Sequence, residues 1–403
     1  MNRLAFAVLW LFVFAVPMED SIAFESVGTI SRIFGIAAMI IGLLAILQRA
    51  RLRPLAAFHG YAFGFVMLGA LSVTWSIDTE GTLGILSTYV QLALAVWLIW
   101  EIARTEKHQR ALMQAYVIGA SVSAIATIRV FLTEGIASQQ RFAAEGFNAN
   151  DLGAMLVLAI PLAWYLSISG QRQWVKWLNR AYTPLCVCAV MLTASRGALL
   201  EGLVALLALP LSLLRASART RVVAIGALAV SGLVAYQYVP SVSWERLATT
   251  RSEIAVGDLN SRREIWSAGL QLVVDHPLVG VGVGAFPVAV GPKLGRSIVA
   301  HNGFLSVLVE LGIVGFVLFI GMWVTVGIGL RYLPHIERGC LAVLFMTVVA
   351  TLLPASWEHR KPTWIFLGLL AARISIARPR RVAATRPAAP AWQPVAELSG
   401  RAS

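Results

Sequence analysis

Apolar stretches long enough to cross a lipid bilayer recur along most of this 403-residue chain. Each is about 17–25 residues long, which is the length at which a helix traverses a hydrocarbon core. Only 13% of the residues are charged and 58% are hydrophobic, whereas a soluble domain has roughly 25% charged residues. The sequence therefore predicts an all-α polytopic membrane protein.

The apolar pattern predicts about twelve transmembrane helices and one large polar loop that contains short helices. We place helices 1–9 within residues 1–239, the loop at 240–301, helices 10–12 within 302–377 and a disordered cytoplasmic tail at 378–403. The first apolar run resembles a signal peptide but lacks a clear small-x-small cleavage site, so we expect a retained helix. The predicted spans are approximately 4–18, 28–48, 55–75, 83–103, 111–132, 149–168, 180–194, 198–214, 222–239, 302–330, 339–356 and 363–377.

The charge distribution predicts that both termini face the cytoplasm. With this orientation most of the 33 Lys and Arg residues lie in inner loops and in the tail, as the positive-inside rule requires. The early outer loops are acidic and carry Glu19, Asp20, Glu25, Asp78 and Glu80. The net charge of +13 is spread between apolar spans, which indicates anionic membrane lipids rather than nucleic acid as its partner.

A short break at Ser195-Arg196-Gly197 separates the seventh and eighth predicted spans. A single helix over residues 180–214 would be about 50 Å long. It would also bury Arg196 near the middle of the membrane, at a cost of several kcal/mol. We therefore predict a tight turn at Gly197 that places Arg196 at the outer surface.

The outer face nevertheless carries a concentration of basic residues, although translocated loops are normally poor in Lys and Arg. A histidine, His301, closes the polar loop that holds most of them. The concentration predicts that the outer face binds an anion. The basic residues are Arg141, Arg196, Arg246, Arg251, Arg262, Arg263, Lys293, Arg296, Arg360 and Lys361.

The polar loop contains a predicted helix that starts at Ser261-Arg262 and ends just after His276, before Pro277. Ser261 and Glu264 have the spacing of a capping box. We expect Arg262 to lean inward and Arg263 to face solvent, so that Arg262 adds a fixed cation to a helix N-terminus that favours anions. The alternative is a surface arginine whose stem packs on Trp266. The predicted apolar face comprises Trp266, Leu270, Val273 and Val274.

His301 is the candidate general base, because its ordinary pKa suits proton transfer near neutrality. Of the other histidines, only His276 and His359 lie near the basic cluster. Neighbouring arginines would lower the pKa of His301 and keep it neutral. Glu310 falls on the opposite helix face and about 13 Å deeper, so we expect it to have a structural role.

Two other patterns indicate what the chain does not bind. The glycines of Gly280-Val281-Gly282-Val283-Gly284-Ala285 imitate a dinucleotide motif, but no strand precedes them and we expect a flexible re-entry loop. The outer loops have no D-x-D motif and the three cysteines no zinc spacing. We therefore expect no metal site and no cofactor, and arginines are the groups that can hold a diphosphate without Mg²⁺.

From about Arg141 to Trp364 the chain resembles the O-antigen ligase and polymerase superfamily of bacterial inner membranes. Its motifs occur in the family's order and spacing. They are Arg141-Phe142 with Asn148-Ala149-Asn150, Thr193-Ala194-Ser195-Arg196-Gly197, Ser261-Arg262 with Trp266, His276-Pro277-Leu278-Val279-Gly280-Val281-Gly282, His301-Asn302-Gly303-Phe304 with Glu310-Leu311-Gly312, and Arg360-Lys361.

The resemblance implies a GT-C-like, metal-independent, inverting glycosyltransferase with its active site facing the periplasm of a Gram-negative bacterium. Its donor would be a glycan on undecaprenyl diphosphate and its acceptor lipid A–core oligosaccharide. The implied diphosphate contacts are Arg196, Arg262 and Arg141, and His301 corresponds to the proposed base. Supporting residues would be Arg263, Asn302, Glu310, Trp266 and Arg360.

Three alternatives to a lipopolysaccharide ligase remain at this stage. A repeat-unit polymerase or a protein O-oligosaccharide ligase would use the same donor with another acceptor. A solute or lipid transporter would need polar residues near the membrane midplane, whereas here they lie at the outer boundary. The single substantial outer loop favours a ligase over polymerases with large loops.

Overall fold

The fold of the chain was obtained as a computed structural model that describes residues 1–24, 28–134, 141–169, 172–209 and 261–385, with scattered residues between 218 and 248. Among these residues the regular secondary structure is helical apart from a minimal antiparallel pair, β1 (Ala23–Phe24) and β2 (Gly28–Thr29). The helices are α1 (Asn2–Ala15), α2 (Ile30–Arg49), α3 (Ala57–Ser72), α4 (Thr79–Ile102), α5 (Glu106–Glu134), α6 (Ala149–Ile168), α7 (Gln173–Thr193), α8 (Arg196–Leu206), α9 (Arg262–Asp275), α10 (Phe286–Leu294), α11 (Gly303–Gly329), α12 (His335–Thr351) and α13 (Lys361–Thr385).

Five of the described helices are long and apolar enough to cross a membrane, namely α2, α4, α5, α6 and α11, and α1 and α3 are shorter apolar helices. An all-α membrane protein is thus confirmed. The number of twelve spans, the cytoplasmic termini and the GT-C likeness stay predictions. Most of the predicted span 222–239, the loop residues 249–260 and residues 386–403 lie outside the described residues. The tail was predicted to begin at residue 378, but helix α13 continues to Thr385.

Helix α6 lies at the centre of the helix bundle. Its most apolar window is 89% buried, against 28% for α2 at the periphery. Helices α5, α7, α8 and α12 all pack against α6. Helix α1 packs against α2 and α5 and buries Leu9, Phe12 and Val13. The N-terminal end of α6, which carries Asn150 and Asp151, is therefore held among several other helices.

The predicted break between the seventh and eighth spans is confirmed, but its turn is at a different residue. Helix α7 ends at Thr193, and Ala194 rather than Gly197 adopts the left-handed conformation, with φ of 49°. The side chain of Ser195 then caps α8 by accepting a hydrogen bond from the Ala198 N–H at 3.3 Å. Arg196 becomes the first residue of α8, at a helix N-terminus.

Helix α9 has the predicted bounds but not the predicted cap. Ser261 has a φ of 64°, and its side chain makes no capping hydrogen bond. The prediction of a capping box is therefore wrong, because a capping side chain requires an extended backbone at that position. Arg262 is half-buried and Arg263 exposed, as predicted.

The predicted apolar face of α9 is correct for Trp266 and Val273, which pack against a buried cluster, but wrong for Leu270 and Val274. Leu270 and Val274 are 56% and 79% exposed. The reason is close packing: a Cβ on Gly269 would lie 3.1 Å from Phe286 of α10 and 3.2 Å from Leu305 of α11. The small side chains of α9 thus face the neighbouring helices. The buried residues are Ile265, Ala268, Gly269 and Leu272.

The glycine-rich segment after α9 is tied to a kink in α11, so the prediction of a flexible loop is wrong. Gly312 has non-helical backbone angles, φ 61° and ψ −164°, inside α11. The Val309 and Glu310 carbonyls accept hydrogen bonds from the N–H groups of residues 281 and 282, and the N–H groups of residues 313 and 314 donate to the carbonyls of residues 277 and 278. The loop thus satisfies the backbone groups that the kink releases, which an apolar environment demands.

Replacement of Gly312 by alanine is expected to prevent stable folding. A Cβ there would lie 2.3 Å from the Leu278 backbone, and the backbone angles are ones that essentially only glycine adopts. We expect a melting temperature in detergent far below that of the parent protein, or no monodisperse protein. Gly291→Ala is the matched control, because nothing lies within 4 Å of its added Cβ. Equal melting temperatures for the two variants would contradict this account of the kink.

Candidate active site

A cavity of about 210 Å³ brings together residues from five separate parts of the chain. It lies where the N-terminal ends of α6, α8 and α9 meet the segment before α11 and the segment between α12 and α13. Arg262, His301 and Arg360 of the predicted site all line it. The remaining lining residues are Asn148, Asn150, Asp151, Ala154, Ser195, Gly197, Ala198, Glu201, Val299, Pro354, Ala355, Ser356, Trp357 and His359.

Two arginines, Arg196 and Arg262, each begin a helix whose N-terminal end meets this cavity. Arg262 lines the cavity, whereas Arg196 does not line it and acts on Arg262 through its charge. Burial lowers the pKa of the half-buried Arg262 guanidinium, and the charge of Arg196 lowers it further. Two like charges held together, each at a helix N-terminus, favour an anion between them. Guanidinium groups can bind phosphate oxygens through two parallel hydrogen bonds. The arrangement is therefore chemically suited to a phosphate or diphosphate group.

His301 lies at the same cavity in a strained backbone conformation, with φ of 50°. Its pKa is lowered from 6.5, first by burial and then by the charge of Arg262, while Asp151 opposes the shift. The imidazole is therefore neutral at neutral pH and able to accept a proton.

The backbone on both sides of His301 is fixed by hydrogen bonds. The Trp266 indole N–H donates to the Ala300 carbonyl at 3.0 Å. On the other side, the Asn302 side chain caps α11 by accepting from the N–H groups of residues 304 and 305, each at 3.0 Å. Trp266 and Asn302 thus hold the position of His301 and do not themselves line the cavity.

Arg360 lines the cavity but is paired with a carboxylate. Its Nη2 atom lies 3.0 Å from Oδ2 of Asp151, whose Oδ1 accepts a hydrogen bond from the Trp357 indole at 2.9 Å. Lys361 is similarly engaged, since it forms an ion pair with Glu19 and a 2.9 Å hydrogen bond to the Ser31 hydroxyl. These two cations hold helices together, so less of their charge is available to a ligand.

Arg141 does not line the cavity but contacts Asn150, which does. Its Nε donates to the Thr193 carbonyl at 3.0 Å, and its Nη2 donates to the Asn150 side chain at 2.6 Å. Arg141 thus joins the end of α7 to the start of α6. Its predicted contact with a diphosphate stays a prediction.

The other predicted residues lie elsewhere. Glu310 is buried and accepts a hydrogen bond from the Ser306 hydroxyl at 3.3 Å. Lys293 bonds to Gln271 of α9 at 3.1 Å. Arg263, His276 and Arg296 are exposed and do not line the cavity, while Arg246 and Arg251 are outside the described residues.

Three titratable residues of the cavity, Asp151, Glu201 and His359, were not assigned to the site from the sequence. Glu201 is 3% exposed, and its Oε2 has no hydrogen-bond partner among the described residues. Burial opposes protonation of His359, but the hydrogen bond and charge of Glu358 outweigh it and raise the pKa. The only sequence signals are that Asp151 follows the Asn148-Ala149-Asn150 motif and that His359 precedes Arg360.

Comparison with known proteins bears on the segment that supplies much of this cavity. A protein-family model described as O-antigen ligase matches residues 181–320, a stretch that includes Arg196, Arg262 and His301. No curated protein matched the chain. The family model thus confirms, over residues 181–320, that this chain resembles the O-antigen ligase superfamily.

Proposed function

We propose that the protein transfers O-antigen polysaccharide from undecaprenyl diphosphate to a sugar hydroxyl of lipid A–core oligosaccharide. The reaction takes place at the periplasmic face of a Gram-negative inner membrane. The observation that carries the proposal is that Arg262 and His301 line the same cavity. Arg196 is close enough for its charge to lower the pKa of Arg262. A candidate base and a phosphate-binding pair are the two parts that such a transfer needs.

The proposed step is a direct displacement. His301 takes the proton of the acceptor hydroxyl, and the hydroxyl oxygen attacks the anomeric carbon of the donor sugar. The bond between that carbon and the diphosphate oxygen breaks with inversion. Arg196 and Arg262 stabilise the negative charge that grows on the departing undecaprenyl diphosphate. Because the guanidinium groups supply this stabilisation, we expect no requirement for a divalent metal.

In vitro transfer tests the proposal. Purified protein would be incubated with the lipid-linked glycan and lipid A–core in the presence of EDTA. We expect ladder formation on a gel, as in smooth lipopolysaccharide. A second reaction replaces lipid A–core by another lipid-linked repeat, and a third by a pilin-type protein. Transfer only in the second reaction would identify a polymerase, and transfer only in the third would identify a protein ligase. Movement of the lipid-linked glycan across a liposome membrane without transfer would identify a transporter.

The pH dependence of kcat/KM gives a separate test of His301. A histidine with a lowered pKa remains neutral until the pH falls below its ordinary value of 6.5, so activity should be lost only below that pH. In Arg262→Gln one cause of the lowered pKa is removed, and the acid limb of the residual activity should move to higher pH. The exposed neighbour gives the control, since Arg263→Gln should leave the limb unchanged. If the acid limb lies at the same pH in Arg262→Gln as in the parent protein, His301 is not the titrating base.

A further inference from the structure

A second and larger cavity, of about 740 Å³, adjoins the candidate active site. This cavity, which we call the groove, lies between α2 and α4, and Leu9 and Phe12 of α1 also line it. His359 and Arg360 line both this groove and the cavity that holds Arg262 and His301. The groove and the candidate active site thus share one wall.

The groove extends between α2 and α4 away from the residues that it shares with the candidate active site. At the far end α2 and α4 touch, since a Cβ on Gly42 would lie 2.8 Å from Leu98. The lining residues of α4 extend from Ser87 to Leu98, which is about 16 Å along a helix. Its inner part is apolar. The apolar lining comprises Leu9, Phe12, Ile36, Ala38, Met39, Leu92, Ala95 and Leu98.

The charges at the mouth of the groove largely cancel. Lys361 pairs with Glu19 and Arg360 with Asp151, and Asp20 interacts with both cations. Arg32 also lines the mouth and is exposed. The groove therefore suits an apolar chain. A charged head group on the same ligand would interact with Arg262 and Arg196, which lie across the shared wall formed by His359 and Arg360.

We infer that the groove between α2 and α4 binds the polyprenyl chain of the lipid-linked diphosphate donor. This rests on the proposed function. Only a diphosphate separates a donor's chain from the reacting sugar carbon, so the chain must lie next to the phosphate-binding arginines. In lipid A–core an oligosaccharide separates the acyl chains from the accepting hydroxyl, and nothing requires those chains to lie beside the cavity. The adjacency of groove and cavity thus selects the donor.

Photolabelling tests where the chain binds. The probe is an undecaprenyl diphosphate analogue with a diazirine in its chain, added to the full-length protein in nanodiscs. We expect labelled peptides from α2 and α4, and competition by unlabelled undecaprenyl phosphate but not by equimolar phosphatidylglycerol. Labels confined to helices other than α1, α2 and α4, or equal competition by the phospholipid, would overturn the inference.

A matched pair of variants tests the same groove by activity. Thr88 lines the groove, and its hydroxyl donates a hydrogen bond to the Gly84 carbonyl of the same helix at 3.3 Å. Val90 is exposed and does not line the groove. We expect Thr88→Trp to lower kcat/KM roughly tenfold or more for an undecaprenyl-linked donor, because buried methylene groups are lost. A donor with two isoprene units also passes Thr88, which lies at the end of the groove nearest the candidate active site, but its loss should be smaller because it buries fewer methylene groups beyond that point. Val90→Trp should leave kcat/KM for both donors unchanged.

The outcomes separate this inference from the proposed function. If no donor supports transfer but α2 and α4 are still labelled and undecaprenyl phosphate still competes, the proposed transfer reaction is refuted and the assignment of the groove is retained. If transfer occurs but Thr88→Trp and Val90→Trp behave alike with both donors, the groove is wrong. Melting temperatures of both variants close to the parent protein exclude misfolding as the cause of a loss.

Discussion

Arg262→Ala is expected to lower kcat/KM for the transfer reaction by about 10²–10³-fold, the usual cost of removing one preorganised group that stabilises transition-state charge. Arg262 begins α9, lines the cavity and lies near both Arg196 and His301. Its guanidinium is half-buried, and this burial lowers its pKa, so its interaction with a leaving diphosphate is stronger than it would be in water.

The adjacent arginine supplies the control for this experiment. Arg263 follows Arg262 on α9 but is exposed and does not line the cavity, so Arg263→Ala should keep nearly full activity. The readout in cells is smooth lipopolysaccharide in a strain that lacks its own ligase. Arg196→Ala should behave like Arg262→Ala. Full activity of Arg196→Ala or Arg262→Ala, or equal losses for Arg262→Ala and Arg263→Ala, would contradict the diphosphate assignment.

Replacement of His301 by asparagine is expected to lower kcat by about 10²–10⁴-fold, the range that a positioned general base contributes. Asparagine is the appropriate substitution because His301 has a φ of 50°, and asparagine tolerates the left-handed region better than most residues. The backbone that Trp266 and Asn302 hold in place is therefore preserved, and the loss reports on the imidazole itself. His276→Asn is the control, since His276 is exposed at the end of α9.

The pH profile decides between a base and a positioning role for His301. If His301 is the base, the acid limb of the profile disappears in His301→Asn together with most of kcat. If it only positions the acceptor, KM for lipid A–core rises and the acid limb remains. Wild-type turnover in His301→Asn would remove the residue from the mechanism altogether.

Several local features could be predicted from the sequence because they depend on neighbours in the chain. The apolar runs predict the membrane class, and the break before α8 and the bounds of α9 are confirmed. Arg262 and Arg263 differ in burial as predicted. The buried face of α9 could not be predicted from apolar periodicity, because Gly269 and Ala268 allow α10 and α11 to approach more closely than larger residues would.

The candidate site was predicted only in part. Its motif residues Arg262 and His301 do share a cavity, but their catalytic roles stay predictions. Arg360 belongs to the same cavity, yet its partner Asp151 lies 209 residues earlier in the chain, and no local pattern indicates that pairing. Glu201 was missed for the same reason, because a single glutamate in an apolar helix has no spacing that connects it to Arg262.

The sequence by itself determined that this is a helical membrane protein, that its basic residues concentrate near a histidine, that a break separates the seventh and eighth spans, and that Arg262 begins a helix. Hydropathy and helix ends are properties of short stretches of chain. Only the tertiary structure decided which cations already have carboxylate partners, that burial is the first cause of the lowered pKa of His301, and that a glycine-rich loop completes the kink in α11. These depend on contacts between distant segments, which burial and charge pairing establish only once the helices pack.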